Sequence, residues 1–472
     1  MTRFIGRKPE LAALTQQFEQ VVSRTAEGRA GRAVLIRGRR RVGKSRLVEE
    51  FIEHSGVPSV YFTAVGGSRE ADLAAFVKDV VHSDLPGASV VADLATPQSW
   101  DAAFQALVTV LPTDVPSIVV MDEVPYVVRQ DPSFEGVLQR TFDRVLVHRP
   151  VLLVLVGSDL AMMEQLDAYG RPFHQRGTEL VVPPLSPKDV AHLTDLDAAE
   201  AFDAYLVTGG LPLVLDEWRA GDTMWDFLES ALTRTTSALI VSGERALAAE
   251  FPTEAQARTV LGVIGHGERT FTTIGRSAGD LHAASLKRAL DLLTQRRAVA
   301  ADRPLSTKAS RETRYRVADP YLRFWLSFIG SNLPLLERGR GDLVLDAIRT
   351  SWSSWRGRAI EPVIRESLLR LHGEPLVDSS GTIGGYWTRT NDPEVDLVGA
   401  DRGPTARSIT FVGSIKWHET APFGDHDLAR LVVHRSQVPG ADETTPLLAV
   451  SRTGSSARGV RTITPEELLD AW

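Results

Sequence analysis

The chain has 472 residues, 43 % of them hydrophobic and 24 % charged, with no cysteine and a formal net charge of −7. This length is a prior for about three domains of roughly 150 residues, and the composition is that of a globular protein, not a disordered one. Lack of cysteine excludes disulfides, thiolate catalysis and thiolate metal sites. The acidic balance excludes a surface that coats nucleic acid along the whole body, while a local basic patch stays possible.

The stretch from Met1 to Gln20 alternates charged and apolar residues without the apolar core of a signal peptide. The longest strongly apolar run, residues 151–156, is far too short to cross a bilayer. The expectation is a soluble cytoplasmic protein with no membrane partner.

Over the first 215 residues, short β-branched strands alternate with helical patterns, which signals an α/β fold with a mostly parallel sheet. Strands are expected at 33–37, 57–63, 117–122, 151–157 and 179–182. The middle ones are apolar without alternation, as strands buried on both faces are. From 216 to about 319 the pattern is helical, with a weak strand signal at 314–317. A last segment, 355–472, returns to a helix at 361–371 followed by strands at 385–388, 394–398 and 410–417. Gly-Arg-Gly-Asp at 339–342 reads as the joint before it.

Between the first strand and the helix that follows lies Gly38-Arg39-Arg40-Arg41-Val42-Gly43-Lys44-Ser45, with Arg46 next. Glycines at this spacing let backbone N–H groups curl round a phosphate at a positively polarised helix N-terminus. Lys44 is placed to reach the β- and γ-phosphates of ATP, and Ser45 to put its hydroxyl on Mg²⁺. Met121-Asp122-Glu123 ends a strand about 80 residues later, where such a sheet has its ligand crevice. Asp122 is expected to order the Mg²⁺ shell and Glu123 to act as general base on the attacking water. Ser158 follows the strand at 151–157, in position to bond the γ-phosphate or the water, and Arg176 could neutralise transition-state charge as an arginine finger. For both, a turn serine and a surface arginine are the competing readings.

These motifs, with others, resemble the archaeal-type ATPases, a branch of the STAND class of P-loop NTPases related to AAA+ proteins. Phe4-Ile5-Gly6-Arg7-Lys8-Pro9-Glu10-Leu11 is similar to the family's opening box, which packs near the adenine. Thr208-Gly209-Gly210-Leu211-Pro212 is similar to a Gly-Gly-x-Pro motif of its small helical subdomain. Arg176 falls where the family often has an arginine. Residues 314–325, ending Asp319-Pro320-Tyr321-Leu322-Arg323-Phe324-Trp325, resemble a signature at the end of its winged helix. The resemblance implies a P-loop ATPase core at 1–200, a helical subdomain at 201–250, a winged helix-turn-helix at 251–330, a linker at 331–354 and a restriction-endonuclease-like α/β domain at 355–472.

In that last domain the resemblance implies that Glu361, Asp396 and Lys416 occupy nuclease positions. Ser414 stands where the nuclease pattern has a glutamate. A Mg²⁺ site there wants two or three carboxylates and a lysine, so a nuclease-derived fold kept for binding is expected in preference to an active nuclease.

Residues 271–316 hold ten Lys or Arg (276, 287, 288, 296, 297, 303, 308, 311, 314, 316) against four acids (280, 291, 302, 312), a balance of +6 that leaves −13 for the rest. Residues 283–295 read as a recognition-type helix with Lys287 and Arg288 beside its apolar face, and 298–317 as a strand–turn–strand wing. Two readings stand: the helix enters the major groove of double-stranded DNA while the wing's cations meet phosphates, or the basic face serves docking to a protein partner. The expected function is a P-loop ATPase that uses Mg²⁺-dependent hydrolysis of ATP to ADP as a conformational switch, acting on or with DNA; the alternatives are a nucleotide-gated interaction switch without DNA binding and an ATP-regulated nuclease.

Overall fold

Five strands build the sheet of the first unit: β1 Arg32–Arg37, β2 Ser59–Thr63, β3 Ser117–Asp122, β4 Val151–Gly157 and β5 Gly177–Val181. The computed structural model describes residues 4–92, 96–251, 254–267 and 269–472; Met1, at the start of the N-terminal stretch read above, lies outside them. The strands run in the order β2-β3-β4-β1-β5, every neighbouring pair parallel. Each strand lies within two residues of its expected bounds. Every residue of β3 and β4 is buried, because a parallel sheet needs crossover helices and these cover both faces. One face is filled by Phe62, Phe76, Trp100, Phe104 and Phe134, whose rings meet at 5.2–6.0 Å, several of them edge to face. With β4 between β3 and β1, the C-terminal ends of these three strands emerge side by side.

The chain divides into two compact units at Pro184/Leu185. The second unit opens with helices Pro187–Thr194, Ala198–Thr208, Met224–Leu232 and Ala238–Glu250. Helices Ala255–Gly265, Phe271–Ser277 and Ala283–Gln295 follow, then an antiparallel pair, β6 Val299–Asp302 and β7 Arg314–Val317. The helix at 283–295 buries Leu286, Leu290 and Leu293 and exposes Lys287 and Arg288, as its periodicity requires.

Close approaches explain the two motifs of this unit. Gly209 and Gly210 have φ of 60° and 66°, and a Cβ on Gly210 would lie 2.0 Å from the Leu185 carbonyl oxygen. A Cβ on Gly209 would lie 2.6 Å from the Cβ of Tyr321. Asp319 caps the helix Pro320–Phe324, accepting from the Leu322 N–H at 2.8 Å. Tyr321 and Trp325 donate to the carbonyls of Leu239 and Ile240 at 2.9 and 2.7 Å.

The expected linker at 331–354 is helical instead. After a turn at Gly339 (φ 74°), one 30-residue helix, Gly341–Arg370, runs straight through the domain start placed at 355. Val344, Leu345, Ile348 and Trp352 are buried along it as Ile360, Ile364 and Leu368 are. Pro362, read locally, argues for a boundary, but it removes one hydrogen bond from a helix that packing holds on either side. A mixed sheet follows: β8 Thr382–Trp387, β9 Glu394–Ala400, β10 Ile409–Lys416, β11 Leu447–Ser451 and β12 Arg461–Ile463, ordered β12-β11-β10-β9-β8. β8, β9 and β10 form an antiparallel meander; β10, β11 and β12 are parallel, with helix Asp425–Gln437 crossing from β10 to β11. Among the described residues no helix is long and apolar enough to cross a membrane.

Candidate nucleotide site

The loop 38–43 leaves β1 and turns into the helix Lys44–Ser55 at Gly43, whose φ of 89° only glycine adopts freely. A Cβ on Gly38 would lie 2.4 Å from the Val182 carbonyl oxygen, so that glycine is needed for close approach. Arg7 holds the loop from the other side: its guanidinium donates to the Val42 carbonyl at 2.7 Å and to Glu10 at 3.1 Å. Arg7 is buried, with φ 61°, while Phe4, Ile5 and Gly6 are half-buried beside it. The opening box thus braces the phosphate loop through one arginine.

Lys44 is 6 % exposed and donates to the Gly38 and Arg39 carbonyls, both at 3.0 Å. Burial lowers its pKa to about 8; Glu123 and Asp122 work in the opposite direction, and Arg40 adds to the lowering. Arg46 lies outside the cradle, exposed, and pairs with Glu49, Glu50 and Glu53 along its own helix.

Asp122, 4 % exposed, is bound on both oxygens. Its Oδ2 accepts from the Ser45 hydroxyl at 2.6 Å and the Tyr61 hydroxyl at 2.9 Å, and its Oδ1 from the Glu123 N–H at 2.8 Å. Burial first, then the Asp122 charge, push the Tyr61 phenol well above its ordinary value, so it stays a donor. Tyr61 escaped the sequence reading because an aromatic residue in a strand reads as core. The alternation of β2, with Val60 and Phe62 turned inward, was the available signal.

Glu123 takes a left-handed backbone conformation (φ 56°, ψ 40°), uncommon for a residue with a side chain. Its carboxylate oxygens lie 2.8 and 2.9 Å from the donating Ser158 hydroxyl. Ser158 therefore orients Glu123, where the sequence had offered it to the phosphate or the water. Ser45, Asp122, Glu123 and Ser158 converge on the ends of β1, β3 and β4. A Ser–Asp hard-oxygen pair beside a phosphate loop fits a magnesium ion, which takes one or two protein oxygens and fills its shell with phosphate and water.

Arg176 is not among them. It precedes β5, whose first residue pairs with Ala33 at the start of β1, whereas the phosphate loop leaves the other end of β1. Its guanidinium forms a forked pair with Asp143 at 2.8–3.0 Å. As an arginine finger for this chain's own cradle it is ruled out by the direction of a parallel strand, which spacing along the chain does not reveal.

In the second unit, Glu361 and Asp396 approach one another through Arg365, which donates to the Glu361 carboxylate at 2.9 Å and to the Asp396 carbonyl at 2.7 Å. The Asp396 carboxylate accepts from the Ser414 hydroxyl at 3.0 Å and the Ile415 N–H at 2.9 Å. Burial pushes the carboxyls of Asp396 and Glu361 up. Lys416 pairs with Asp427 at 2.9 and 3.1 Å. The lysine that would steady a hydroxide is thus engaged, and Ser414 brings a hydroxyl where a carboxylate was wanted.

Three arginines of the basic segment are half-buried and partnered. Arg296 pairs with Glu254 at 2.8 Å and Arg316 with Asp302 at 2.7 Å, while Arg314 pairs with Glu394 at 2.5 Å and sits 4.4 Å from the Trp387 ring centre. Arg314, expected to meet phosphates from a wing, therefore meets β8 and β9 and does not face solvent. Arg276, Lys287, Arg288, Arg297, Arg303, Lys308 and Arg311 remain exposed.

Residues 17–217 match the family described as an ATPase domain predominantly from Archaea, and 325–426 match one described as archaeal and bacterial proteins of unknown function. The chain carries an archaeal-type P-loop ATPase domain followed by a domain of that second kind, in keeping with the motif resemblance. An uncharacterized protein of Methanocaldococcus jannaschii is 24 % identical over 454 residues, 95 % of each chain. The Walker-type ATPase of Pyrococcus abyssi is similar at 19 % identity and a TM-score of 0.48, over 68 % of this chain and 96 % of that one. The ORC2 protein of Aeropyrum pernix is similar at 13 % identity and a TM-score of 0.46, over 74 % and 96 %.

Proposed function

We propose that this protein hydrolyses ATP with Mg²⁺ and uses the ATP/ADP difference as a conformational switch of the AAA+/STAND type. The observation that carries this reading is the bonded set Ser45–Asp122–Tyr61 and Glu123–Ser158 at one end of the sheet. Backbone N–H groups of 38–45 and the Lys44 ammonium bind the β- and γ-phosphates, and Ser45 and Asp122 hold the ion. Magnesium, when bound, supplies charge neutralisation on the phosphate oxygens. Glu123, steadied by Ser158, accepts the proton of a water as its oxygen bonds to the γ-phosphorus and the bond to the bridging oxygen breaks, releasing ADP and phosphate. Residues 255–317, three helices and a β-pair, are read as a winged helix, and the mixed sheet as a nuclease-derived domain retained for binding. An ATP-regulated nuclease has less support, since Lys416 is held by Asp427.

A DNA-acting role is favoured by the exposed Lys287 and Arg288 on the helix Ala283–Gln295. An interaction switch without DNA is favoured by the engagement of Arg314 and Arg316 with carboxylates. ATP hydrolysis with and without Mg²⁺ and double-stranded DNA, beside Glu123→Gln, tests these readings. Mg²⁺-dependent turnover lost in Glu123→Gln is expected, and metal-independent or unchanged turnover would sink the mechanism. Stimulation by DNA with a steep salt dependence selects the DNA role; indifference selects a protein partner.

A further inference from the structure

Within the second unit, a cavity of about 50 Å³ lies among β7, the helix Gly341–Arg370 and β9. Six arginines line it: Arg269, Arg314, Arg316, Arg323, Arg358 and Arg365. Four carboxylates line it as well, those of Asp302, Glu361, Glu394 and Asp396. Six cations against four anions leave +2.

The pairing shows where that excess sits. Glu394 takes Arg314, with Arg269 at 3.9 Å; Asp302 takes Arg316; Glu361 takes Arg365. Asp396 is occupied by Ser414 and Ile415. Among the described residues, Arg323 and Arg358 make no side-chain hydrogen bond or salt bridge. Within the segment 319–325, Asp319 caps a helix, Tyr321 and Trp325 anchor to carbonyls, and Leu322 and Phe324 are buried. Arg323 alone has no structural task there.

A guanidinium in such a place is costly to the fold. Burial lowers the Arg323 pKa to about 10, and Arg316, Arg358 and Arg269 add to the lowering while Glu361 opposes it. Five N–H donors in a rigid fork, turned into a cavity among like charges, are complementary to an oxyanion. One water needs roughly 10–15 Å³ of such space, so this cavity holds a group of about four oxygen-sized atoms and no base or sugar.

We propose that this pocket binds the dianionic head of a phosphate monoester, with Arg323 and Arg358 as its donors. The charge left by internal pairing matches a dianion, and the volume matches a phosphoryl group. The role differs from metal-assisted phosphodiester cleavage, because the Arg365 guanidinium is bonded to both the Glu361 carboxylate and the Asp396 backbone carbonyl.

The test uses the full chain carrying Lys44→Ala, to weaken phosphate binding at the nucleotide loop, in phosphate-free buffer. Inorganic phosphate should raise the melting temperature saturably, while chloride at equal ionic strength should not. Adding Arg323→Met should weaken that phosphate response at least tenfold, without lowering the melting temperature in its absence, since the cation has no bonded partner to lose. A phosphate effect no larger than chloride's, or one untouched by Arg323→Met, overturns the proposal. Should Arg323→Met fail to fold, Arg358→Gln, at an exposed position, should weaken the response at least threefold, and an unchanged response overturns it equally. Glycerol phosphate and a 5′-phosphorylated duplex, each against phosphate, separate a free monoester from a nucleic-acid end. Equal competition by a 5′-hydroxyl duplex would show that a monoester is not what the pocket selects.

Discussion

The phosphate loop and the arginine-lined pocket are both built to face anions, yet they come from opposite kinds of sequence. In the first, eight consecutive residues make the curve, the donors and the lysine, and two carboxylates arrive on a strand two places away in the sheet. In the second, six arginines are spread from 269 to 365 and are joined only by the packing of a β-pair, a long helix and a mixed sheet. A site made of backbone N–H groups is written locally, because dihedral angles are set by neighbours along the chain. A site made of long side chains is decided by which carboxylates tertiary structure brings to each.

This contrast can be broken most forcefully at Glu123. Glu123→Gln keeps the shape and removes the base, so turnover should fall by about 10²- to 10⁴-fold with ATP affinity retained; wild-type turnover would mean that another group orients the water. Lys44→Ala should cost about 10- to 100-fold in ATP affinity, the range for hydrogen bonds to charged groups, as measured by equilibrium titration. Ser158→Ala should lower kcat by roughly 3- to 10-fold with little change in KM, since the serine bonds the base and not the nucleotide. An equal loss in KM would place Ser158 on the phosphate after all.

Arg314→Ala should destabilise the protein by roughly 1–3 kcal/mol, read by calorimetry, through loss of its Glu394 pair and its Trp387 contact. DNA affinity should not change; a fall in DNA affinity at constant stability would return this arginine to the phosphate-facing wing. The smallest effect concerns Lys44. With its pKa lowered to about 8 and raised again by nucleotide phosphates, ATP binding at pH 8 should take up about half a proton. At pH 6 the lysine is already charged and uptake from it should vanish, so its contribution to affinity is full below pH 8 and declines above. Calorimetry in buffers of different ionisation enthalpy measures the uptake, and Lys44→Ala should abolish it.

From the sequence alone came the five core strands, the phosphate loop, the pair Asp122–Glu123, and the helix and β-pair at 283–317. All rest on periodicity or on backbone geometry that neighbours dictate. Strands β11 and β12 did not, being short and framed by no repeating pattern. In sequence the helix Gly341–Arg370 reads only at 361–371, after a joint at 339–342 and a linker at 331–354, where burial on both sides of Pro362 keeps one helix whole. Only the tertiary structure decided that Tyr61 holds Asp122, that Arg176 lies at the far end of β5, and that Lys416 belongs to Asp427. Each is a contact between residues 11 to 61 positions apart or a matter of strand direction, and one-dimensional spacing carries neither.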